Sequence, residues 1–289
     1  MPYDVKTPPT GRARPRPGEL GCWRAHANAW SHIISSGVSS ALIFEDDADF
    51  SVGIRDIMEG ISEQLQDIMG AKHREPYGLV NGNNWDLLTL GNCFNKLPDP
   101  KEKPKAAKMI RVWADDYAPE SDFSEYSPGT GSGHLRLIGP SIATLCTHGY
   151  AVTREGAMRL LYNVGGPGHD LDAPLDMLIA QQLSRGLLRG FHVLPDVVGQ
   201  WKKGGDWRDT DVQFPSEEQI KSYGKGSGRA IVQSVRAEIE KIFGSRNIWE
   251  EIEREADEEQ KESEKPKDSE GHGGTDESEN ESEIEGDKE

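Results

Sequence analysis

The chain holds 289 residues, 35% of them hydrophobic and 29% charged, with a formal net charge of −17, a length that suits one large domain or two small ones. From Glu251 to Glu289, 18 acidic residues stand against 5 basic ones, so this tail carries −13 of the charge and residues 1–250 only −4. No run approaches the roughly 18–20 apolar residues of a membrane span, the first residues lack an apolar secretory core, and no basic cluster beyond Arg12, Arg14 and Arg16 could meet phosphates. Neither a membrane segment nor a nucleic-acid partner is expected. The three cysteines, Cys22, Cys93 and Cys146, are odd in number, far apart and free of any CxxC spacing, which predicts reduced thiols rather than a disulfide framework or a thiolate zinc site.

Residues 1–17 are rich in Pro and Arg with no hydrophobic period and form an irregular lead-in. Leu20, Trp23, Ala27, Trp30, Ile33 and Ile34 then recur at three- and four-residue steps, predicting an amphipathic helix that Gly37 ends. Ala41–Phe44 is a continuous apolar run and predicts a buried, parallel strand that leads into the acidic loop Glu45-Asp46-Asp47-Ala48-Asp49. Open α/β sheets place ligands at such carboxyl ends. A second helix fits Ile54 to Ile68 with Gly70 beyond its end, and Trp85–Leu90 predicts another strand. Residues 92–140 are mostly Pro, Gly, Ser, Lys and Asp, with a weak strand at Met109–Trp113, and predict a long active-site loop.

Ala143–Thr153 is strand-like and passes into a helix from Arg154 to Asn163 with Thr153 at its N-cap. After the glycine-rich NVGGPGHDLDA, Pro174 suits the first turn of a helix carrying Leu175, Leu178, Ile179 and Leu183, with Gly186 at its end. Two short strands follow at Phe191–Leu194 and Val197–Trp201. Ser216 with Gln219 resembles a capping box, and a helical pattern through Ile231, Val235, Ile239, Ile242 and Phe243 closes the body. The alternation argues for an α/β domain over residues 18–250, followed by a disordered acidic tail at 251–289 with too little apolar surface to fold.

Glu45, Asp46, Asp47 and Asp49 crowd four carboxylates into five positions, an arrangement that repels itself unless a cation compensates. Hard oxygen ligands suit Mg²⁺ or Mn²⁺, held by one or two carboxylates while also touching a diphosphate. Asp47-Ala48-Asp49 is a D-x-D, a triplet that also arises by chance in surface loops; the apolar strand just before it adds weight.

The blocks GELGCWRAHANAW, ALIFEDDADF, WDLLTLGN, THGYAVTREGAMRLL and APLDMLIAQQL, in this order and spacing over about residues 18–212, resemble glycosyltransferase family 25, the lipopolysaccharide-type and collagen-type β-galactosyltransferases. The resemblance implies a GT-A-like (Rossmann-like) mixed sheet with flanking helices and Mn²⁺-dependent, inverting transfer of a sugar, commonly galactose, from a UDP donor to an unknown glycan, protein or lipid-linked acceptor. Glu45-Asp46-Asp47 matches the family's E-D-D, which puts Asp47 first, with Asp46, Asp49 and Glu45, at the metal and diphosphate. The metal would neutralise charge on the departing UDP.

Gly21-Cys22 and His26 match the family's G-C-x-x-S-H, with Ala25 in place of serine; His26 then reaches the donor pocket, or serves as a core histidine, and Cys22 packs. Asp86 and Gly91 fall in the W-D-x-x-x-x-G strand, Gly91 for close backbone approach and Asp86 with a structural alternative. Pro174-Leu175-Asp176 resembles P-V-D, making Asp176 the candidate general base with Asp172 in reserve; both also suit the start of the following helix. In GQWKKGGDWRDTD, Lys202 or Lys203 would meet phosphate and Asp211 substrate, while Gln200-Trp201 stands where some members carry a histidine.

The family's domain opens with an apolar strand and an Arg-bearing helix that residues 1–17 do not contain, so the chain is expected to be N-terminally incomplete against that pattern. As written it suits the cytoplasm; an upstream leader would direct it to the secretory pathway. The alternative function is a non-catalytic relative that acts as an interaction protein through its acidic tail. A phosphoryl-transfer enzyme lacks support, since no P-loop or kinase-like glycine motif is present.

Overall fold

A computed structural model describes residues 15–70, 85–165, 173–202, 227–228 and 231–243. The chain divides into two units, Met1–Ile242 and Phe243–Glu289, and the elements below belong to the first apart from the last residue of the final helix. The lead-in before residue 15, the Ser216/Gln219 capping box and the tail at 251–289 lie outside the described residues.

Helix α1 (Pro17–Ser36) has Pro17 in its first turn, while the Glu19 carboxylate accepts the Arg16 backbone N–H at 2.8 Å. Gly37 closes it in the left-handed region at φ 76°. Its inner face buries His26, Ala27, Trp30 and Ile33. Strand β1 (Ser40–Phe44), β2 (Ala48–Phe50), helix α2 (Ile54–Met69) and β3 (Leu87–Gly91) follow, then β4 (Phe94–Lys96), the short α3 (Pro104–Ala107), β5 (Arg111–Ala114), β6 (Glu120–Asp122), β7 (Ser132–Pro140), β8 (Ala143–Leu145) and β9 (Gly149–Thr153). Helices α4 (Arg154–Gly165) and α5 (Leu175–Ser184), strands β10 (Gly190–Leu194), β11 (Val198–Lys202) and β12 (Ser227–Gly228), and helix α6 (Val235–Phe243) complete the set.

A mixed sheet of seven strands runs in the order β1-β9-β3-β10-β7-β5, with β6 also on β7. Only β3 and β10 pair in parallel; the other contacts of this sheet are antiparallel. Because side chains alternate across a strand, Leu87 joins a core with α1, α4 and α5 while Leu88 joins a second core with α2. Helices thus flank both faces of the sheet. Asp86 is 1% exposed and accepts from the Arg159 guanidinium and the Arg189 backbone N–H, pinning α4 and the entry to β10 at the amino end of β3. Thr153 caps α4, its hydroxyl oxygen accepting the Gly156 N–H at 2.9 Å.

Three expectations are corrected. The Ala41–Phe44 strand is neither parallel nor fully buried: it is the sheet's edge, antiparallel to β9, with Leu42 and Phe44 45% and 41% exposed. An apolar run encodes extended backbone but not direction or position in a sheet. Residues 92–140 are not one loop, since they build four strands and a helical turn. The nine residues of β7 were hidden by Arg136, whose charge breaks the apolar pattern but is 1% exposed and paired with Asp115. Finally, Cys93 and Cys146 form a disulfide. Pairing of β4 with β8 sets Phe94 opposite Leu145, so the residues one step beyond each meet despite a separation of 53.

Among the described residues, no helix is long and apolar enough to cross a membrane.

Candidate active site

Strands β1 and β3 both run antiparallel to β9, and β10 runs parallel to β3, so the carboxyl ends of β1, β3 and β10 share one edge of the sheet. Glu45, Asn92 and Asp196 follow those three ends, and Thr147 and His148 precede β9 at the same edge. Backbone bonds tie the edge together, with Glu45 N–H donating to the His148 carbonyl at 3.1 Å and Val197 N–H to the Leu90 carbonyl at 2.7 Å.

The acidic loop fans its carboxylates into separate environments. Glu45 turns toward α1 and β9: its Oε1 accepts the Thr147 hydroxyl at 2.5 Å and lies 3.6 Å from His26 Nε2. Burial pushes the Glu45 pKa up, but His26 at 3.6 Å, the hydrogen bond from Thr147 and the nearby His148 outweigh it and hold the group below the ordinary range. Asp46 is exposed. The small antiparallel pairing of β2 with β11 sets Gln200 beside Asp47, whose Oδ2 accepts the Gln200 amide at 2.6 Å.

Asp49 is fully buried. Its Oδ1 accepts the N–H groups of Phe50 and Arg236 at 2.9 and 3.2 Å, and its Oδ2 accepts the Ser234 hydroxyl at 2.5 Å. This carboxylate anchors the start of α6. The Arg236 guanidinium meanwhile donates to the carbonyls of Asp46 and Ala48 at 2.6 and 3.0 Å, which brings a fixed positive charge to the loop. Sequence alone offered no sign of Ser234 or Arg236, which sit some 190 residues downstream.

His26 occupies a network rather than a lone position. Its Nδ1 is 2.7 Å from the Tyr150 hydroxyl, which also receives the Trp30 indole N–H at 2.9 Å. Cys22, one helical turn earlier, brings its sulfur within 4.8 Å of the ligand atoms of His26 and Glu45. Burial, then the charges of Glu45 and Asp176, push the Cys22 thiol up to about 11, so it stays protonated and unreactive at neutral pH. Asp176 spends its carboxylate on backbone, with Oδ2 accepting Cys146 N–H at 3.0 Å and Oδ1 accepting Met177 N–H at 2.8 Å. It pins the start of α5 to the turn after β8. Asp172, Lys203 and Asp211 lie outside the described residues, and Lys202 is placed only as backbone in β11.

Asp196 escaped the sequence reading. Burial pushes it up to about 7 against the hydrogen bond from Asn92 and the charge of Arg136, and the Asn92 amide donates to its Oδ1 at 2.9 Å.

The α1–β1–α2 segment that carries Cys22, His26, Glu45 and Asp47 is also where the chain is most plainly related to others. Residues 16–81 match Glycosyltransferase family 25 (LPS biosynthesis protein). The chain is also 24% identical over 145 residues to procollagen galactosyltransferase 1 of Danio rerio, covering 50% of this chain and 17% of that protein. It is 28% identical over 126 residues to procollagen galactosyltransferase 1-A of Xenopus laevis, covering 44% and 17%. A further relative, inactive glycosyltransferase 25 family member 3 of Mus musculus, is 28% identical over 86 residues, covering 30% and 12%. The chain therefore spans about a sixth or less of the length of these curated family 25 relatives.

Proposed function

We propose that this protein is a family 25 glycosyltransferase that transfers a hexose, galactose in the first instance, from a UDP-sugar to a hydroxyl acceptor with inversion. The observation that carries the reading is the gathering of Glu45, His26, Asp46 and Asp47 at the carboxyl edge of the sheet, within the stretch that matches the family. A divalent ion of the Mn²⁺ or Mg²⁺ class, bound by one or two carboxylates and the donor's diphosphate, would supply charge neutralisation for the leaving UDP. Exposed Asp46 and half-buried Asp47 fit that demand, whereas Asp49, enclosed by three protein donors, does not. Gln200 orients Asp47 through its amide. Asp176, with both oxygens on backbone N–H groups, borders the site, and Asp172 as reserve base, Lys202 for phosphate and Asp211 for substrate stay candidates on sequence grounds alone.

A second reading, a non-catalytic relative that works by interaction, is favoured by one contact: the Gln200 N–H already occupies Asp47 Oδ2, one of the two oxygens this carboxylate could offer a metal. Calorimetric titration of UDP-galactose into the full chain, with and without Mn²⁺, separates the two. Mn²⁺-dependent binding that disappears in Asp47→Ala supports the transferase. A folded wild-type chain that binds no UDP-galactose supports the interaction protein.

A further inference from the structure

Trp30, Tyr150 and His26 form one hydrogen-bonded chain from the core, whose outer end faces Glu45 at 3.6 Å, and its polarity can be worked out atom by atom. The indole Nε1–H of Trp30 can only donate, so the Tyr150 oxygen accepts it at 2.9 Å. The Tyr150 hydroxyl hydrogen is then free for its other neighbour, His26 Nδ1 at 2.7 Å. Burial, foremost, keeps Tyr150 in its phenol form by raising its pKa. An imidazole that accepts at Nδ1 carries its proton on Nε2, the nitrogen that faces Glu45 Oε1 at 3.6 Å. A proton on Nδ1 instead would set two donors against the Tyr150 oxygen and leave its own hydroxyl hydrogen without a partner among the described residues.

At the far end of the chain, the Thr147 hydroxyl donates to Oε1 of Glu45 and His26 Nε2 faces the same oxygen at 3.6 Å. The Glu45 side chain is 24% exposed. The carboxylate is thus gripped by one oxygen and offers the other. His26 itself is 6% exposed, too enclosed to reach a ligand directly, with Cys22 beside it on α1 and His148 and Asp176 as the other charged or titratable neighbours of the cluster.

We propose that Trp30 and Tyr150 are positioning residues that lock His26 as its Nε2–H tautomer, and that the locked His26 presents Glu45 Oε2 as the hydrogen-bond acceptor for a sugar hydroxyl. The choice of a sugar hydroxyl rests on the transferase reading; the tautomer does not. Glu45 acts here by orientation: it accepts the hydroxyl's hydrogen bond and fixes which lone pair of that oxygen points into the site. Tyr150→Phe removes the relay while keeping the ring that stacks 5.7 Å from His26.

Long-range ¹⁵N–¹H correlation of the histidine rings in the full chain tests the proposal, with the His26 signals assigned by their loss in His26→Gln. The expected result is Nε2 protonated and Nδ1 unprotonated, with Tyr150→Phe shifting His26 to a mixture of tautomers without loss of fold by circular dichroism. Free galactose, as a hydroxyl probe, should shift the His26 Nε2 resonance in the wild type and leave it still in Glu45→Gln. A predominant Nδ1–H form, or a Tyr150→Phe spectrum identical to wild type, overturns the relay. Galactose without effect on a wild-type Nε2–H signal overturns the hydroxyl site. Neither readout needs Mn²⁺ or UDP, so failure of donor binding at Asp47 would be seen separately.

Discussion

Gln200 holds Asp47 from a strand 153 residues further along the chain, its amide donating to Oδ2 across 2.6 Å while the Trp201 N–H donates to the Asp47 carbonyl at 2.8 Å. The acidic loop is therefore clamped from β11 on one side and from α6, through Ser234 and Arg236, on the other. Two aspartates of one D-x-D consequently do different work. Asp47 is half-buried and takes the Gln200 amide on Oδ2, whereas Asp49 is fully buried and accepts from Phe50, Arg236 and Ser234.

Asp47→Asn and Asp49→Asn should separate binding from stability. The first keeps the backbone bond from Trp201 and can turn its amide oxygen toward Gln200, so unfolding should move by less than about 1 kcal/mol while Mn²⁺-dependent affinity for UDP-galactose falls at least about tenfold. The second sets an NH₂ group against the Ser234 hydroxyl or the N–H groups of Phe50 and Arg236, and should cost about 2–3 kcal/mol in urea unfolding. Equal effects from the two would show that the loop is not divided in this way.

The helices were legible in the sequence because their signals are local. Gly37 sits where α1 stops, Gly70 where α2 stops, and the Thr153 hydroxyl caps α4. Pairing was not legible, since nothing within Ala41–Phe44 distinguishes an edge strand antiparallel to β9 from a buried parallel one. The same limit governs the site. Glu45, His26 and Asp47 could be named from their own neighbourhood, but their partners Thr147, Tyr150, Gln200 and Arg236 arrive by long-range register. Gln200 was visible only as a departure from the family's pattern, and the disulfide only after β4 met β8.

Gly91→Ala should damage the fold and the site together. A Cβ at this position would lie 2.0 Å from the Val198 carbonyl oxygen, and that oxygen belongs to β11 backbone rather than to a side chain that can rotate away. Relief requires β11 to move, and with it Gln200. The expected destabilisation is about 2–3 kcal/mol, accompanied by a larger loss of UDP-galactose affinity than Gln200→Ala alone produces. Differential scanning calorimetry and titration of both variants check the order.

Replacing Cys93 and Cys146 by serine should destabilise the chain by about 4 kcal/mol on loop-closure grounds, because the cross-link spans 53 residues. The wild type should lose a similar amount when unfolded in the presence of reductant, and the double variant should not respond to it. Mass spectrometry after alkylation of the urea-unfolded chain at alkaline pH without reduction should find one modified cysteine, Cys22.

His192 is fully buried in β10, and neither ring nitrogen has a hydrogen-bond partner among the described residues. Burial depresses its pKa from 6.5 to about 4, so the unfolded chain takes up a proton that the folded chain refuses. Its stabilising contribution is complete above 6.5 and erodes as pH falls toward 4, at up to about 1.4 kcal/mol per pH unit. His192→Gln, which cannot titrate, should flatten that part of a urea-unfolding profile.

Asp196 imposes the opposite slope. Its pKa rises from 3.8 to about 7 because burial disfavours the carboxylate, so the folded state holds a proton that the unfolded chain releases. Stability from this group is complete below 3.8 and is lost as pH rises to 7, again at no more than about 1.4 kcal/mol per pH unit. Asn is neutral throughout and offers the same carbonyl oxygen to the Asn92 amide, which donates to Oδ1 at 2.9 Å. Asp196→Asn should therefore match the wild type at the acid end of that window and become progressively more stable than it toward neutral pH. A constant difference across the window would show that Asp196 is already ionised in the fold, and that Arg136 and Asn92 together outweigh its burial.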